Sequence, residues 1–311
     1  MHRRISDANM KRVIVIGGAN VDIKGRPYDP YLTGTSNPGD VTLSPGGVGR
    51  NIAENLAHLG FTVSLLTVLG NDINGQFLRH ACNAAGIDLA LAVTTPEPTG
   101  TYLAILNQEG EMVSAVSDMR GIDRLQPEHL AALSHRLLEA DMLVADCNIP
   151  CGCLEWLAAF AVRNGLRLIV EPVSVAKAER LKGVVRSAPV FAITPNARQV
   201  ETLTGTAGEV ALVQLQKLGF ANIVVHQGSS GALTFDGQRF SIIDAIHVAT
   251  IADVTGAGDA AVAGLICGLL DGFDLATSAR LGQYAAALKL SSPQSVAMGL
   301  TRERLYGMAG I

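Results

Sequence analysis

The strongest restriction on the architecture of this 311-residue chain is a rhythm: short, continuous apolar runs, each stopped by glycine, proline or a polar pair, alternate with helical spacing. Val13-Ile14-Val15-Ile16 stops at Gly17-Gly18, and Val63 to Val68 stops before the loop Gly70 to Gly75. Met142 to Ala145 ends in Asp146-Cys147-Asn148, Leu168 to Glu171 at Pro172, Val190 to Thr194 at Pro195-Asn196, and Ile223 to His226 at Gln227-Gly228. Unbroken apolar runs of this length suit strands buried on both faces of a parallel sheet. The stretches between them read as helices: Ile52 to Leu59, Phe77 to Ala85, Pro127 to Glu139, Leu154 to Arg163, Val200 to about Gly205, Val210 to Leu218 and Leu275 to Leu290. The rhythm therefore predicts an α/β fold, a mostly parallel sheet with helices on both faces. Its polar, glycine-rich stretches follow strands and should gather at one edge, where open α/β sheets bind ligands.

Two regions leave the rhythm. Between Ile23 and Leu43 the pattern dissolves under repeated proline and glycine. Thr99 to Leu106 and Glu111 to Val116 form a hairpin about Asn107-Gln108-Glu109-Gly110. Excursions of this length are usually functional, so a discontinuous β lid is expected from residues 23–43 and 99–118. Near the C-terminal third, Leu233 to Phe235 and Phe240 to Ile243 read as a hairpin with a type I′ turn at Asp236-Gly237.

Composition narrows the function classes. With 48% hydrophobic and 17% charged residues the chain has a large core. A net charge of −4 and the absence of a basic run interleaved with aromatics argue against nucleic acid as partner. No apolar run reaches membrane-spanning length, and the polar stretch Met1 to Arg12 reads as a frayed tail without a signal peptide, so the expected location is the cytoplasm. The five cysteines lack metal-site spacing and read as reduced thiols.

The chemistry concentrates in Asp253-Val254-Thr255-Gly256-Ala257-Gly258-Asp259. Val262, Leu265, Ile266 and Leu269 follow at helical spacing, so a buried helix begins at or just after Gly258. A glycine-rich turn at a helix start presents unpaired N–H groups and the positive end of the helix dipole, a site for phosphate. Asp259 inside such a nest either caps the helix or accepts a proton from a hydroxyl that attacks the phosphate. A second glycine-rich helix start, Ser44-Pro45-Gly46-Gly47-Val48-Gly49-Arg50-Asn51, leads into Ile52 to Leu59. Asn51 there could cap the helix or bond a ligand hydroxyl. Asn20 and Asp22, two apart after the first strand, face one way if extended; turn chemistry is the other reading.

Other motifs are excluded. There is no Gly-Lys pair for a Walker A loop, and Ile52 replaces the third glycine of a dinucleotide fingerprint. Ala232 spoils a nucleophile elbow at Gly228-Ser229-Ser230-Gly231. No His-Glu-x-x-His occurs.

Gly46-Gly47-Val48-Gly49-Arg50-Asn51-Ile52-Ala53 resembles the N-terminal signature of the PfkB, or ribokinase-like, carbohydrate kinases, and Asp253 to Asp259 resembles their C-terminal signature. Gly70-Asn71-Asp72 with Gly75, Thr194-Pro195-Asn196 and His226-Gln227-Gly228 also fall where that family has recurrent motifs. The resemblance covers nearly the whole chain and implies one ribokinase-like domain over residues 11–311, a three-layer sandwich with the lid described above. Within the family, Ser36-Asn37-Pro38-Gly39, the Ser44 to Ala53 stretch, Val144 to Ile149 and Pro172-Val173-Ser174 are most similar to pseudouridine kinases.

The resemblance implies an ATP-dependent kinase acting on a nucleoside 5′-hydroxyl. Asp259 is then the base, with Gly256, Ala257 and Gly258 as the turn around the transferring phosphate. Asn20, Asp22, Gly46, Gly47 and Asn51 hold the ribose; Asn148, where the chain departs from the family, either meets the uracil edge or a neighbouring hydroxyl or simply ends its strand. Asn196, Gly228, Thr255, Gly256 and Gly258 flank the nucleotide, as does His226 unless it is a structurally satisfied histidine. Mg²⁺ is expected on the phosphates, and in some members Asp253 and Thr255 hold a monovalent cation such as K⁺. Relatives pair as homodimers through their lids.

Two positions depart from the pattern: Gln199 stands where the family often has Glu after Asn196, and Asn148 replaces an acid common in sugar kinases. A kinase of another ribonucleoside or of ribose remains an alternative, as does a catalytically silent nucleotide-binding regulator.

Overall fold

A computed structural model describes residues 10–311. The first half of the chain runs β1 (Arg12–Ile16), β2 (Asn20–Pro27), β3 (Gly39–Gly46), α1 (Val48–His58), β4 (Thr62–Leu66), β5 (Val68–Gly70), α2 (Ile73–Ala84), β6 (Ile87–Asp88), β7 (Val93–Thr95), β8 (Thr101–Leu106) and β9 (Met112–Asp118). Next come α3 (Pro127–Ala132), α4 (Ser134–Leu137), β10 (Met142–Asp146), α5 (Cys151–Asn164), β11 (Leu168–Glu171), α6 (Val175–Ala178), α7 (Leu181–Ser187), β12 (Val190–Ile193), α8 (Ala197–Thr204) and α9 (Gly208–Leu218). The C-terminal part adds β13 (Phe220–His226), β14 (Ala232–Phe235), β15 (Phe240–Ile243), α10 (Ala257–Leu270), α11 (Leu275–Leu290) and α12 (Arg302–Ala309).

Nine strands form the central sheet in the order β15-β14-β13-β12-β11-β10-β1-β4-β6. Its pairs are parallel except for the β13–β14 and β14–β15 hairpins. Alternation along each strand builds two cores. Ile14 and Ile16 of β1 and Leu143 of β10 join Leu154 and Leu157 of α5 and Leu212 of α9 on one face. Val13, Val15 and Val144 join Ile52 and Leu56 of α1, Ile266 of α10 and Leu281 of α11 on the other. Both faces are covered, as the apolar runs require: the fold is the three-layer α/β sandwich that the resemblance implied.

The stretch from Ile23 to Leu43 is more ordered than its prolines suggest. β2 and β3 pair antiparallel over Asn20 to Pro27, β8 joins β2 in parallel, and β9 completes a four-stranded sheet ordered β3-β2-β8-β9. Pairing with strands distant in sequence imposes the regularity that local propensity hides. Three further expectations change. The predicted helix from Pro127 to Glu139 breaks into α3 and α4 at Leu133. The β14–β15 connection spans four residues because Phe235 pairs with Phe240. There the Asp236 carboxylate accepts the N–H groups of Gln238 and Arg239, and of the two expected turn residues only Gly237 has positive φ, which is incompatible with type I′. The expected tail of Met1 to Arg12 lies outside the described residues up to position 9, while Arg12 already belongs to β1. All five cysteines are free thiols, and among the described residues no helix is long and apolar enough to cross a membrane.

Candidate active site

Gly256 caps α10 with φ of 84°, and a Cβ there would lie 1.9 Å from the Ser295 carbonyl oxygen. Only glycine fits both demands. The reversal starts the helix at Ala257, one residue earlier than expected. The Ala257 N–H turns back to Val254 O at 3.3 Å and that of Ala260 to Gly256 O at 3.0 Å, leaving the Gly258 and Asp259 N–H groups without a backbone acceptor. α10 is buried almost all round, so its open N-terminal end is rigidly placed.

Asp259 lies in the first turn of α10, buried, and makes no cap. Its Oδ2 instead accepts a hydrogen bond from Asn51 Nδ2 at 2.7 Å, joining segments 208 positions apart. A buried chain of partners fixes that amide. Arg50 donates to Asn51 Oδ1 and to Glu54 Oε2, and its Nε donates to Gly46 O at 3.1 Å. With Oδ1 engaged by the guanidinium, the amide must turn its N–H₂ toward Asp259. Gly47, with φ of 99°, reverses the chain at the α1 start, where a Cβ would lie 2.4 Å from Gly18 O. Burial, with the Asp146 and Asp22 carboxylates, pushes the Asp259 carboxyl up to about 7, against the opposing pull of Asn51 and Arg50.

Asp146, at the end of β10, ties this assembly together. Its Oδ2 accepts the N–H groups of Gly18 at 2.9 Å and Gly49 at 2.7 Å, and its Oδ1 accepts that of Asn148 at 2.8 Å. One fully buried carboxyl thus pins the β1 exit, the α1 entry and its own strand end. In β2, Asn20 and Asp22 do face the same way: Asn20 Nδ2 donates to Asp22 Oδ1 at 2.6 Å. Burial raises the Asp22 carboxyl above its ordinary range.

Two cavities open at this edge. The first, about 340 Å³, is lined by Asn20, Asp22, Gly47, Asn51, Asn148, Thr255, Gly256 and Asp259. Tyr102, Ser117 and Met119 come to it from the four-stranded sheet or its end. Lys177 also lines it, and its Nζ donates to Asn148 Oδ1. Lys177 sits on α6, which is capped by Ser174 and preceded by a three-residue turn closed by Ser174 N–H to Pro172 O at 2.7 Å. The turn's central residue, Val173, has φ of 66°, a strained conformation for a β-branched side chain that also lines the cavity. The Glu171 carboxylate holds the turn by accepting the Val173 N–H at 2.6 Å.

The second cavity, about 760 Å³, is more apolar and is lined by His226, Gly228, Val254, Ala257, Gly258 and Leu290 among others. His226 Nε2 is sealed from solvent without a partner, and burial lowers the imidazole to about 4, so the ring is neutral. The two cavities meet at the α10 start: Gly256 and Asp259 face the first, Ala257 and Gly258 the second.

The sites expected from sequence thus converge, with three exceptions. Gly46 lines neither cavity; it packs against the Asp22 carboxylate and offers its carbonyl to Arg50. Asn196 is also outside both, forming a reciprocal cap with Gln199: Gln199 N–H donates to Asn196 Oδ1 at 3.0 Å and Asn196 N–H to Gln199 Oε1 at 2.7 Å. Its backbone bridges to His226. Asp253 lies behind the turn, where Lys24 Nζ approaches its Oδ2 at 3.3 Å and the Thr255 N–H donates to its Oδ1 at 2.8 Å. Among the described residues no three His, Cys, Asp or Glu side chains converge to cage a metal. Arg50, Asp146 and Lys177 went unread in the sequence. An acid closing an all-apolar strand is a signal for Asp146, and an arginine inside a glycine-rich helix start is one for Arg50. Lys177 belongs to no local pattern.

Comparison with known proteins agrees with this architecture. The family described as pfkB family carbohydrate kinase matches residues 10–301. The chain is 35% identical to a pseudouridine kinase of Escherichia coli K12 over 286 residues, 90% of each chain. Among solved structures, a carbohydrate kinase from Agrobacterium tumefaciens superposes with a TM-score of 0.86 at 30% identity, covering 97% of each chain. An Arabidopsis thaliana ribokinase complexed with ribose and ATP superposes at 0.85, with 22% identity over 97% of this chain and 100% of that one, a likeness of fold. The chain belongs to the pfkB family of carbohydrate kinases and is a phosphotransferase with an alcohol acceptor.

Proposed function

We propose that this kinase transfers the γ-phosphoryl group of ATP to the 5′-hydroxyl of pseudouridine, forming pseudouridine 5′-phosphate. The observation that carries the reading is the meeting of two cavities at the first turn of α10, with Asp259 on the acceptor side and the Gly258 N–H on the other. The smaller cavity takes the nucleoside. Asn20, Asp22, Gly47 and Asn51 hold the ribose, and Asn148 with Lys177 meets the uracil, whose two carbonyl oxygens suit an ammonium and an amide donor. A free ribose would leave that part of the cavity unfilled. The larger, apolar cavity takes the adenine nucleotide, with neutral His226 and Gly228 along its wall.

Asp259 accepts the hydroxyl proton as the oxygen attacks. A carboxyl near pH 7 is matched to that task, and such assistance is typically worth about 10²–10⁴-fold. Asn51 aims the carboxylate, and Arg50 positions Asn51. The open N–H groups at the α10 start stabilise charge on the transferring phosphoryl, which dominates catalysis of a loose phosphoryl transfer. The expected Mg²⁺ would be held mainly by the nucleotide phosphates and water and would supply neutralisation of phosphate charge beside the α10 start.

The four-stranded sheet serves as the lid. Along β2, β8 and β9, Asp22, Tyr102 and Ser117 are register partners and face the acceptor cavity. On the opposite face Val41, Leu43, Leu103 and Val116 are solvent-exposed apolar residues. Such a face fits a second copy of the chain, giving a homodimer through the lid. The identity to the Escherichia coli pseudouridine kinase supports the choice of substrate.

Turnover of pseudouridine, uridine, adenosine and ribose side by side tests it. Pseudouridine should have the highest kcat/KM; a preference for ribose by more than about tenfold, roughly 1.4 kcal/mol, would overturn the assignment.

A further inference from the structure

Behind the phosphate turn lies a lysine that the proposed chemistry does not use. Lys289, near the end of α11, is fully buried. Its Nζ donates to the backbone carbonyls of Asp253 at 2.6 Å and Ser292 at 3.1 Å. Those carbonyls belong to two segments that run side by side. Ala252 N–H donates to Leu290 O at 2.8 Å, and the Ser295 carbonyl packs against Gly256 so closely that no side chain fits there. The lysine therefore sits in the seam between residues 252–256 and 289–295, against the turn whose residues line both cavities. Burial, with the Lys24 charge, lowers the Lys289 ammonium below its ordinary pKa; the Asp253 and Asp259 carboxyls pull the other way, and two carbonyl oxygens accept from the amine, the partners a buried ammonium needs.

Backbone carbonyls converging on a buried point are also the ligands that replace the hydration shell of K⁺. The resemblance assigned Asp253 and Thr255 to a monovalent cation, but the residues do not fit a free ion at this point. The Asp253 carbonyl is taken by Lys289, and its two carboxylate oxygens by the Thr255 N–H and Lys24. We propose that the Lys289 ammonium is a tethered cation for the phosphate turn: it occupies the carbonyl site of an exchangeable monovalent ion, orders the turn, and makes the enzyme indifferent to K⁺. Its positive charge stands behind the Gly256 to Asp259 turn and adds to the field that the helix start directs at phosphate. Lys289 is a positioning residue, with no contact to either substrate.

The proposal rests on the kinase reading, and its test separates the two. The unmodified enzyme is assayed with K⁺, Na⁺, NH₄⁺ or choline chloride at matched ionic strength. Rates should agree within about twofold, and stimulation by K⁺ of more than about fivefold over choline would overturn the proposal without any variant being made. Lys289→Met keeps the stem and removes the charge. In choline its kcat should fall at least about tenfold, and K⁺ or NH₄⁺ should restore part of the loss. Its melting temperature should rise with K⁺ and stay level with choline, while that of the parent responds to neither. The melting readout needs no substrate, so it stands even if pseudouridine proves to be the wrong acceptor. A variant as active as the parent in choline, or an inactive one that no cation restores or stabilises, would overturn the proposal.

Discussion

Replacing Asp259 by Asn should make the protein more stable and nearly inactive, with the stability gain confined to one side of neutrality. The folded carboxyl holds its proton up to about 7 because it is buried, against an unperturbed value of 3.8. The folded state therefore binds this proton more tightly than the unfolded chain, and ionisation works against folding. The penalty is absent below about pH 3.8, grows between about pH 4 and 7, and is complete above that. At 1.36 kcal/mol per pH unit its full size is on the order of 4 kcal/mol. An amide escapes it, but exchanges the charge-assisted bond from Asn51 for a neutral one, so a net gain of about 2 kcal/mol is expected above neutrality. The assay is the melting temperature of parent and variant across about pH 4 to 8, with the difference opening as pH rises. In parallel, kcat/KM of the parent should climb through a pKa near 7, while the Asp259→Asn variant keeps a flat rate about 10²–10⁴-fold lower. A variant that melts below the parent at about pH 8, or by an equal margin at every pH, would refute the claim that burial holds this carboxyl protonated.

Asn51→Ala removes the side-chain bond to Asp259 and should move the rising limb of the pH–rate profile to higher pH, since Asn51 favours the carboxylate. Asp146→Ala strips the acceptor from three N–H groups in the site and should cost several kcal/mol of stability, about 1–3 kcal/mol for each group left unpaired, read by urea denaturation. Gly256→Ala must clear the Ser295 carbonyl and hold a positive φ, so activity should vanish; an active variant would show that the turn can be remade. Lys177→Met should raise KM for pseudouridine and leave that for ribose unchanged, in the same four-substrate panel. The His226 ring, held neutral by burial, favours folding above its unfolded value of 6.5, and that contribution fades as pH falls toward 4; its proton resonances should not shift between about pH 5.5 and 8.

Much of this protein is written locally. Runs such as Val13 to Ile16, short and stopped by glycine, read as strands covered on both faces, so the layered α/β sandwich follows from apolar patterning and its punctuation. The turn from Asp253 to Asp259 announces a phosphate site because glycine and a helix start are local properties. The β2–β3 pairing escaped such reading because prolines and glycines mask it and a distant strand, β8, supplies the partner. The same holds for chemistry made by convergence. Asn51 and Asp259 are 208 positions apart, and nothing in either motif says which way the Asn51 amide turns; the buried Arg50 decides it. Lys177 and Lys289 carry no signature, because a lysine in a helix normally reads as surface. Burial is a property of the whole fold: it raises Asp259 to a useful pKa, lowers His226, and puts the Lys289 ammonium among carbonyls. Sequence patterns report what a segment's neighbours along the chain require, whereas dielectric environment and long-range hydrogen bonds exist only once the segments have packed.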